Sequence, residues 1–277
     1  MKSLATLFLC LILNSLAFAK PAKKITGLYL QWGYNRDWYS MSDIHFKNGD
    51  KYDFTIHDAK AQDRPDFDAI LHDPKNFTIP QYNYRIGFYL NDTHTEGIEL
   101  NFDHTKYIVK DYQTLRTTGS INNEPVNADI LYTPDHLHFE HSDGANFYHL
   151  NYFGQKNLWE RKPFKLSWVY KLGAGIVFPR TDVTMDGKEL NNRFHVAGFV
   201  LGAETGLRIY PLKRFFIEGT VKGGYADYLN ALTIEGGKAN HHFWYFETIA
   251  MVGYEFPLHQ SKSARHPSIN ATTQPIN

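Results

Sequence analysis

The densest collection of chemically capable side chains is the stretch Asp135-His136-Leu137-His138-Phe139-Glu140-His141-Ser142-Asp143-Gly144. Imidazole, carboxylate and hydroxyl are the three groups of a nucleophilic hydrolase. In an extended chain His138, Glu140 and Ser142 fall at i, i+2 and i+4 and share one face, whereas His141 falls on the other. At about 3.3 Å per residue, His138 and Ser142 stand roughly 13 Å apart in a regular strand, beyond the reach of proton transfer. Ser142, His138, His141 and Glu140 are therefore candidate catalytic residues that form a working set only if the strand is bulged.

Metal binding is the second chemistry to weigh. The chain has 14 His, with His136, His138 and His141 clustered and His241-His242 adjacent, and neutral imidazoles are common ligands. His141 leaves the face that His136 and His138 share, and no second motif fixes a partner, so no metal or other cofactor is expected. Residues 40–75 carry Asp43, Asp50, Asp53, Asp58, Asp63, Asp66, Asp68 and Asp73 against Lys47, Lys51, Lys60, Arg64 and Lys75. That excess of acids reads as a solvated surface open to divalent cations, without the fixed Gly and terminal Glu of a calcium loop. Gly236-Gly237-Lys238 lacks the upstream Gly and the helix of a phosphate loop.

The elements that must position these groups are strands. Of 277 residues, 29 are Lys or Arg and 29 Asp or Glu, a balance that argues against a nucleic-acid partner. Hydrophobic residues make up 43% and aromatic ones 16%, with 20 Gly and a single Cys, which excludes both a disordered chain and a disulfide scaffold. Met1 to Ala19 has a basic start at Lys2, an apolar run from Leu4 to Leu16 and Ala17-Phe18-Ala19 before Lys20. This predicts a secretory signal peptide, too short to span a bilayer as a helix.

Apolar and polar residues then alternate with period two. Leu28, Leu30, Trp32 and Tyr34 open the pattern, and Tyr82, Tyr84, Ile86, Phe88 and Leu90 repeat it. The longest run is Phe164, Leu166, Trp168, Tyr170, Leu172, Ala174, Ile176 and Phe178, and the last is Trp244, Phe246, Ala250, Val252, Tyr254 and Phe256. Eight strands follow, at 25–39, 76–90, 94–109, 136–153, 164–178, 195–210, 213–228 and 241–258. Leu137 and Phe139 are out of phase with Tyr148, Leu150 and Tyr152, which predicts a bulge near Gly144 in the fourth. Residues 43–47 and 52–58 could add a hairpin, making ten strands, or could extend strands above the membrane.

Connections alternate in length. Residues 40–75, 110–135, 179–194 and 229–240 are long, and 91–93, 154–163 and 211–212 are short. An even strand number with one end of long loops and one of short turns predicts an all-β, antiparallel up-and-down transmembrane barrel. A soluble barrel would turn the apolar stripe inward. The opposite face carries Gly27, Gly33, Gly87, Gly97, Gly173, Gly175, Gly198, Gly202, Gly206, Gly224 and Gly253. Small residues belong in the tight interior, so the aromatic face points to lipid. The lumen then collects Arg85, Lys165, Lys171, Arg208 and Lys222 with Glu99, Asp103, Glu204, Glu218, Glu247 and Glu255, charges that would pair into a plug.

The leader, the start Gly-Leu-Tyr-Leu-Gln-Trp-Gly-Tyr at 27–34, the turn Arg-Ile-Tyr-Pro-Leu-Lys-Arg-Phe-Phe at 208–216 and the aromatic last strand resemble the small outer-membrane β-barrel proteins of diderm bacteria. That resemblance covers nearly the whole chain after residue 19. It implies an exported outer-membrane protein contacting lipid, lipopolysaccharide and the barrel assembly machinery, with residues 40–75 and 110–135 available to an extracellular ligand. Residues 20–258 form the barrel and 259–277 a polar tail, a departure from barrels that end on an aromatic residue. His-Ser-Asp-Gly at 141–144 is also similar to the active-site strand of the lipid A 3-O-deacylase family, which however separates His from Ser by one residue. The expectation is a plugged barrel with an envelope-structural or surface-interaction role. A rim-located lipid A deacylase and a narrow pore are the alternatives.

Overall fold

In a computed structural model, residues 24–76, 80–142, 144–191 and 193–258 are described. The expected signal peptide and the tail beyond 258 lie outside the described residues. Eight strands form the barrel, β1 (Gly27–Tyr39), β5 (Tyr82–Tyr89), β6 (Glu96–Asp103), β11 (Phe147–Arg161), β12 (Phe164–Val177), β15 (Gly198–Tyr210), β16 (Phe215–Leu232) and β17 (Lys238–Pro257). They are hydrogen-bonded in that order, and β1 pairs with β17 from Gly27 opposite Pro257 to Tyr39 opposite Tyr245, which closes the sheet. Every neighbouring pair is antiparallel, as an even count of up-and-down strands requires.

The period-two pattern decides which way each face points. Leu30, Leu100, Leu150, Leu172, Leu207, Ile217 and Val252 are exposed on the outside, Leu172 to 67%. Trp38 and Trp244 stand exposed at the end of the long connections, and Tyr254 and Phe256 at the end of the short turns. From Trp244 to Phe256, at about 3.3 Å per residue and a tilt of about 40°, the belt with its aromatic rims is roughly 30 Å tall, a bilayer's thickness. Soluble proteins rarely expose so continuous an apolar surface.

Above Trp244 the chain builds a distal domain. β2 (Ser42–Asn48) and β3 (Tyr52–Ala59) form a hairpin that pairs with the Lys238–His241 start of β17, and β8 (Gln113–Ile121) and β9 (Glu124–Tyr132) continue this sheet. The hairpin is thus an extension above the barrel, and the ten-stranded alternative does not hold. A second sheet, in the order β14 (Lys188–Asn191), β13 (Asp182–Met185), β10 (Leu137–His141), β7 (Tyr107–Val109) and β4 (Ala61–Gln62), lies across it. Ile44, Phe46, Phe54 and Ile56 of the first sheet share one core with Tyr107, Leu137, Phe139 and Val183 of the second, and the Phe46 and Phe139 rings meet edge to face at 5.3 Å. One short helix, α1 (Asp68–His72), lies in the first long connection.

The expected fourth strand is two strands in two sheets. β10 belongs to the distal sheet and β11 to the barrel, and between them Gly144 has φ +132 while the Ala145 N–H donates to the Thr105 carbonyl. The phase change between Phe139 and Tyr148 marks a change of sheet rather than a bulge. β11 also continues to Arg161, so the connection expected at 154–163 shrinks to the turn at Lys162 and Pro163. The expected loops 40–75 and 110–135 are largely folded, and their acids are partly used internally: Asp53 holds Lys47 and His45, and Asp43 holds His57.

Candidate functional site

Polar side chains at the inward positions of the barrel strands form one connected network. Arg85 of β5 reaches Glu99 at 3.4 Å, Asp103 at 3.2 Å and Glu204 at 3.0 Å. Lys171 of β12 lies 3.1 Å from Glu99, 3.1 Å from Glu204 and 2.8 Å from Glu218. Arg208 of β15 donates to Glu218 at 2.6 Å, and Lys222 of β16 reaches Asp103 and, at 3.6 Å, Glu247. Glu255 accepts from the Tyr89 hydroxyl at 2.5 Å and the Tyr210 hydroxyl at 2.6 Å. All ten of these charged residues are buried. Lys165 departs from the expected set, because it is only half-buried near the short-turn end, with its ammonium 3.7 Å from the centre of the Tyr210 ring.

Neutral partners join the network, and sequence reading passed over them. The Tyr29 hydroxyl donates to Glu99 at 2.5 Å, Asn35 and Asn83 to Glu247 at 2.6 and 3.1 Å, and Thr220 to Glu204 at 2.8 Å. Their signal was present, since each occupies an inward position of its strand. Buried charges cost several kcal/mol each unless paired, so such partners are what make the arrangement tolerable.

Buried apolar side chains gather at both ends of the lumen. At the short-turn end Tyr29, Tyr89, Phe153, Tyr210 and Phe216 form a buried cluster, and Arg208 lies over Phe216 at 4.2 Å and over Tyr29 at 4.7 Å. The sequence pattern places small residues in this tight interior, and the inward glycines are what admit the rings, since a Cβ at Gly87 would overlap Tyr29, one at Gly97 Phe153, and one at Gly253 Phe216. At the other end, Phe147, Val177, Val200 and Tyr245 of the barrel join the core of the distal domain without a break.

The candidate catalytic residues lie outside the lumen, in the distal domain. Glu140 stands between the other two on its face of β10: the Ser142 hydroxyl donates to Glu140 Oε1, and His138 Nε2 lies 3.3 Å from Glu140 Oε2. His138 Nδ1 meets Asp111 at 2.9 Å, and Arg64 approaches Glu140 at 3.5 Å. Asp111 and Arg64 were not legible as partners, because they are far away in sequence. The hydrogen bond to Glu140, with a second to Asp111, raises the His138 pKa to about 9, so this imidazole is charged at neutral pH. Burial opposes the Glu140 charge, but hydrogen bonds from His138 and Ser142 together with Arg64 hold it below its ordinary value. The order is thus Ser142, Glu140, His138, Asp111. In a hydrolytic triad a neutral imidazole takes the nucleophile's proton, and here a carboxylate occupies that place.

His141 points the other way, into the core. Its Nε2 lies 3.2 Å from His241 Nε2 and its Nδ1 3.1 Å from the Thr181 hydroxyl. The Tyr228 ring stacks on it at 4.6 Å. Burial holds both imidazoles neutral, His141 well below its ordinary pKa and His241 at about 3. Among the described residues no group of three His, Cys, Asp or Glu side chains is placed to hold a metal.

A closed antiparallel barrel with its apolar belt outward and its charges buried is an integral membrane β-barrel of the outer-membrane type. Within that class the chain is a small eight-stranded barrel carrying a folded two-sheet domain on one end. No protein-family model and no curated protein matches it. It is similar to the solved structure of Ail, the attachment invasion locus protein of Yersinia pestis, with 12% identity, a TM-score of 0.35, and 84% of this chain and 100% of that one covered. OprG from Pseudomonas aeruginosa has 13% identity, a TM-score of 0.38, and covers 86% and 100%. The OmpT protease from Escherichia coli has 10% identity, a TM-score of 0.24, and covers 86% and 99%. At these values the class assignment rests on the closed sheet and its belt.

Proposed function

We propose that this protein is a non-conducting outer-membrane anchor that holds a recognition domain outside the bilayer. Residues 1–19 direct its export, and the barrel assembly machinery inserts it. The belt contacts lipid, and the long-connection end faces lipopolysaccharide and the medium. What supports this reading is that rings, paired charges and an apolar core succeed one another along the inward face of the barrel. An ion would have to strip charges from one another to pass, which weighs against the narrow pore. The engagement of Ser142 by Glu140 and the positive charge on His138 weigh against lipid hydrolysis at the rim.

The test is conductance. Protein reconstituted into planar bilayers, after its fold is verified by heat-modifiable gel mobility, gives no unitary current steps in the plugged reading. Steps whose size scales with salt would overturn it.

A further inference from the structure

The tips of all four long connections meet at the far end of the distal domain. Lys51 comes from the β2–β3 turn, Asn122 from the β8–β9 turn, Asp186 from the β13–β14 turn and Glu235 from the turn before β17, and they surround a cavity of about 110 Å³. Its floor is made by Phe54, Tyr132, Leu137 and Met185, where the two sheets part and their shared core comes to the surface. An apolar cavity of about 150 Å³ accepts benzene, so this one suits a single ring or a short alkyl group.

The mouth already holds a carboxylate. Lys51 Nζ donates to Glu235 Oε2 at 2.7 Å and Lys188 Nζ to Glu235 Oε1 at 2.8 Å. Each oxygen takes one ammonium, so the two lysines form a two-point receptor. Both remain more than half exposed, at 56% and 61%, and Glu235 itself is 35% exposed. Glu235 is also held in left-handed backbone, with φ 54, on a three-residue turn. It is a local occupant of a place that a free carboxylate could take. Asp186, paired with His136 at 3.5 Å on the same rim, limits that place to one negative group.

We propose that the distal cavity binds a small amphiphilic monoanion. Its apolar ring or short chain lies on Phe54, Leu137 and Met185, and its carboxylate displaces Glu235 from between Lys51 and Lys188. This rests on the reading of the distal domain as the recognising part, and it names the ligand class.

The chain has four Met, which allows a direct readout. Met185 lies in the cavity floor, Met41 is exposed beside the membrane rim and Met251 is buried in the lumen. Full-length protein in lipid nanodiscs, labelled with ¹³C at the methionine methyl groups, is titrated with benzoate and separately with benzyl alcohol. The proposal expects the Met185 resonance to shift saturably with benzoate while Met41 and Met251 stay still, and benzyl alcohol to bind at least 10-fold more weakly. Glu235→Gln, which frees both lysines, tightens benzoate about 10-fold, and the double change Lys51→Ala with Lys188→Ala weakens it at least 10-fold. A still Met185, a drift shared with Met41, or equal binding of the alcohol would each overturn the proposal. Current steps in the bilayer experiment would remove the plugged lumen and leave this titration standing.

Discussion

Acidification loosens the distal domain before it touches the barrel. His241 is buried against His141, Tyr107 and Phe243 above the membrane belt, and burial depresses its pKa from 6.5 to about 3. A group whose folded pKa lies below its unfolded one adds stability above the unfolded value, and that stability is lost as pH falls. With unfolded and folded values of 6.5 and about 3, lowering the pH from 7.5 to 5.0 removes about 2 kcal/mol through His241 alone. That corresponds to a roughly 30-fold rise in the population of the opened domain. His141, also depressed by burial, acts in the same direction. Neither His138, which stays charged, nor Glu140, held below its ordinary value, titrates strongly in this window. The assay is amide hydrogen exchange in nanodiscs, with protection factors taken at pH 7.5 and 5.0 for β10 and the first four residues of β17. These should fall at least 30-fold, while those in β15 and the lower part of β17 hold. His241→Phe should remove about that factor. Equal protection at both pH values, or an unchanged pH response in His241→Phe, would refute the reasoning.

Other consequences follow from the lumen and from β10. Arg85→Leu takes one cation away from Glu99, Asp103 and Glu204 in a buried space and leaves only Lys171 and Lys222 to balance them, and should destabilise the barrel by about 3–5 kcal/mol in guanidinium unfolding. Gly87→Ala drives a methyl into the Tyr29 ring and should cost about 1–3 kcal/mol by overpacking, a loss that Tyr29→Leu in the same chain should partly restore. Glu140→Gln removes the negative charge from the first hydrogen-bond partner of His138, so its pKa, followed by the ring proton shifts in a pH titration, should fall from about 9 toward the ordinary imidazole value. An unmoved titration would mean that Asp111 alone sets it.

The barrel was legible because its physics is local and repetitive. Each strand must alternate lipid and lumen, so Leu28 to Tyr34 or Trp244 to Phe256 declares its face within one run, and the inward charges of Arg85 or Lys171 are found by parity. Pairing is not local. Glu140 could be placed on a face with His138 and Ser142, but Asp111 and Arg64, which set its company, arrive from the segments that follow β7 and β4 of the distal sheet. The distal domain escaped for a related reason: residues 113–132 alternate weakly, with most of β9 exposed, and reveal themselves only when paired to β3. The ring cluster at Tyr29, Tyr89, Phe153, Tyr210 and Phe216 was missed because bulk was judged residue by residue. A glycine opposite an aromatic makes room that neither residue reports alone.

The claim on which everything rests is that β1 closes the sheet against β17, and engineered cysteines test it directly. Tyr34 faces Ala250 across that seam, and the chain's one Cys, Cys10, lies in the expected leader. Tyr34→Cys with Ala250→Cys, expressed without residues 1–19, reconstituted in lipid and mildly oxidised, should give an intramolecular disulfide joining residues 34 and 250 in the peptide mass map. The shifted pair Tyr34→Cys with Tyr254→Cys should give none. A seam that stays reduced, or that links the shifted pair equally well, would contradict the closed barrel and the plugged lumen built on it.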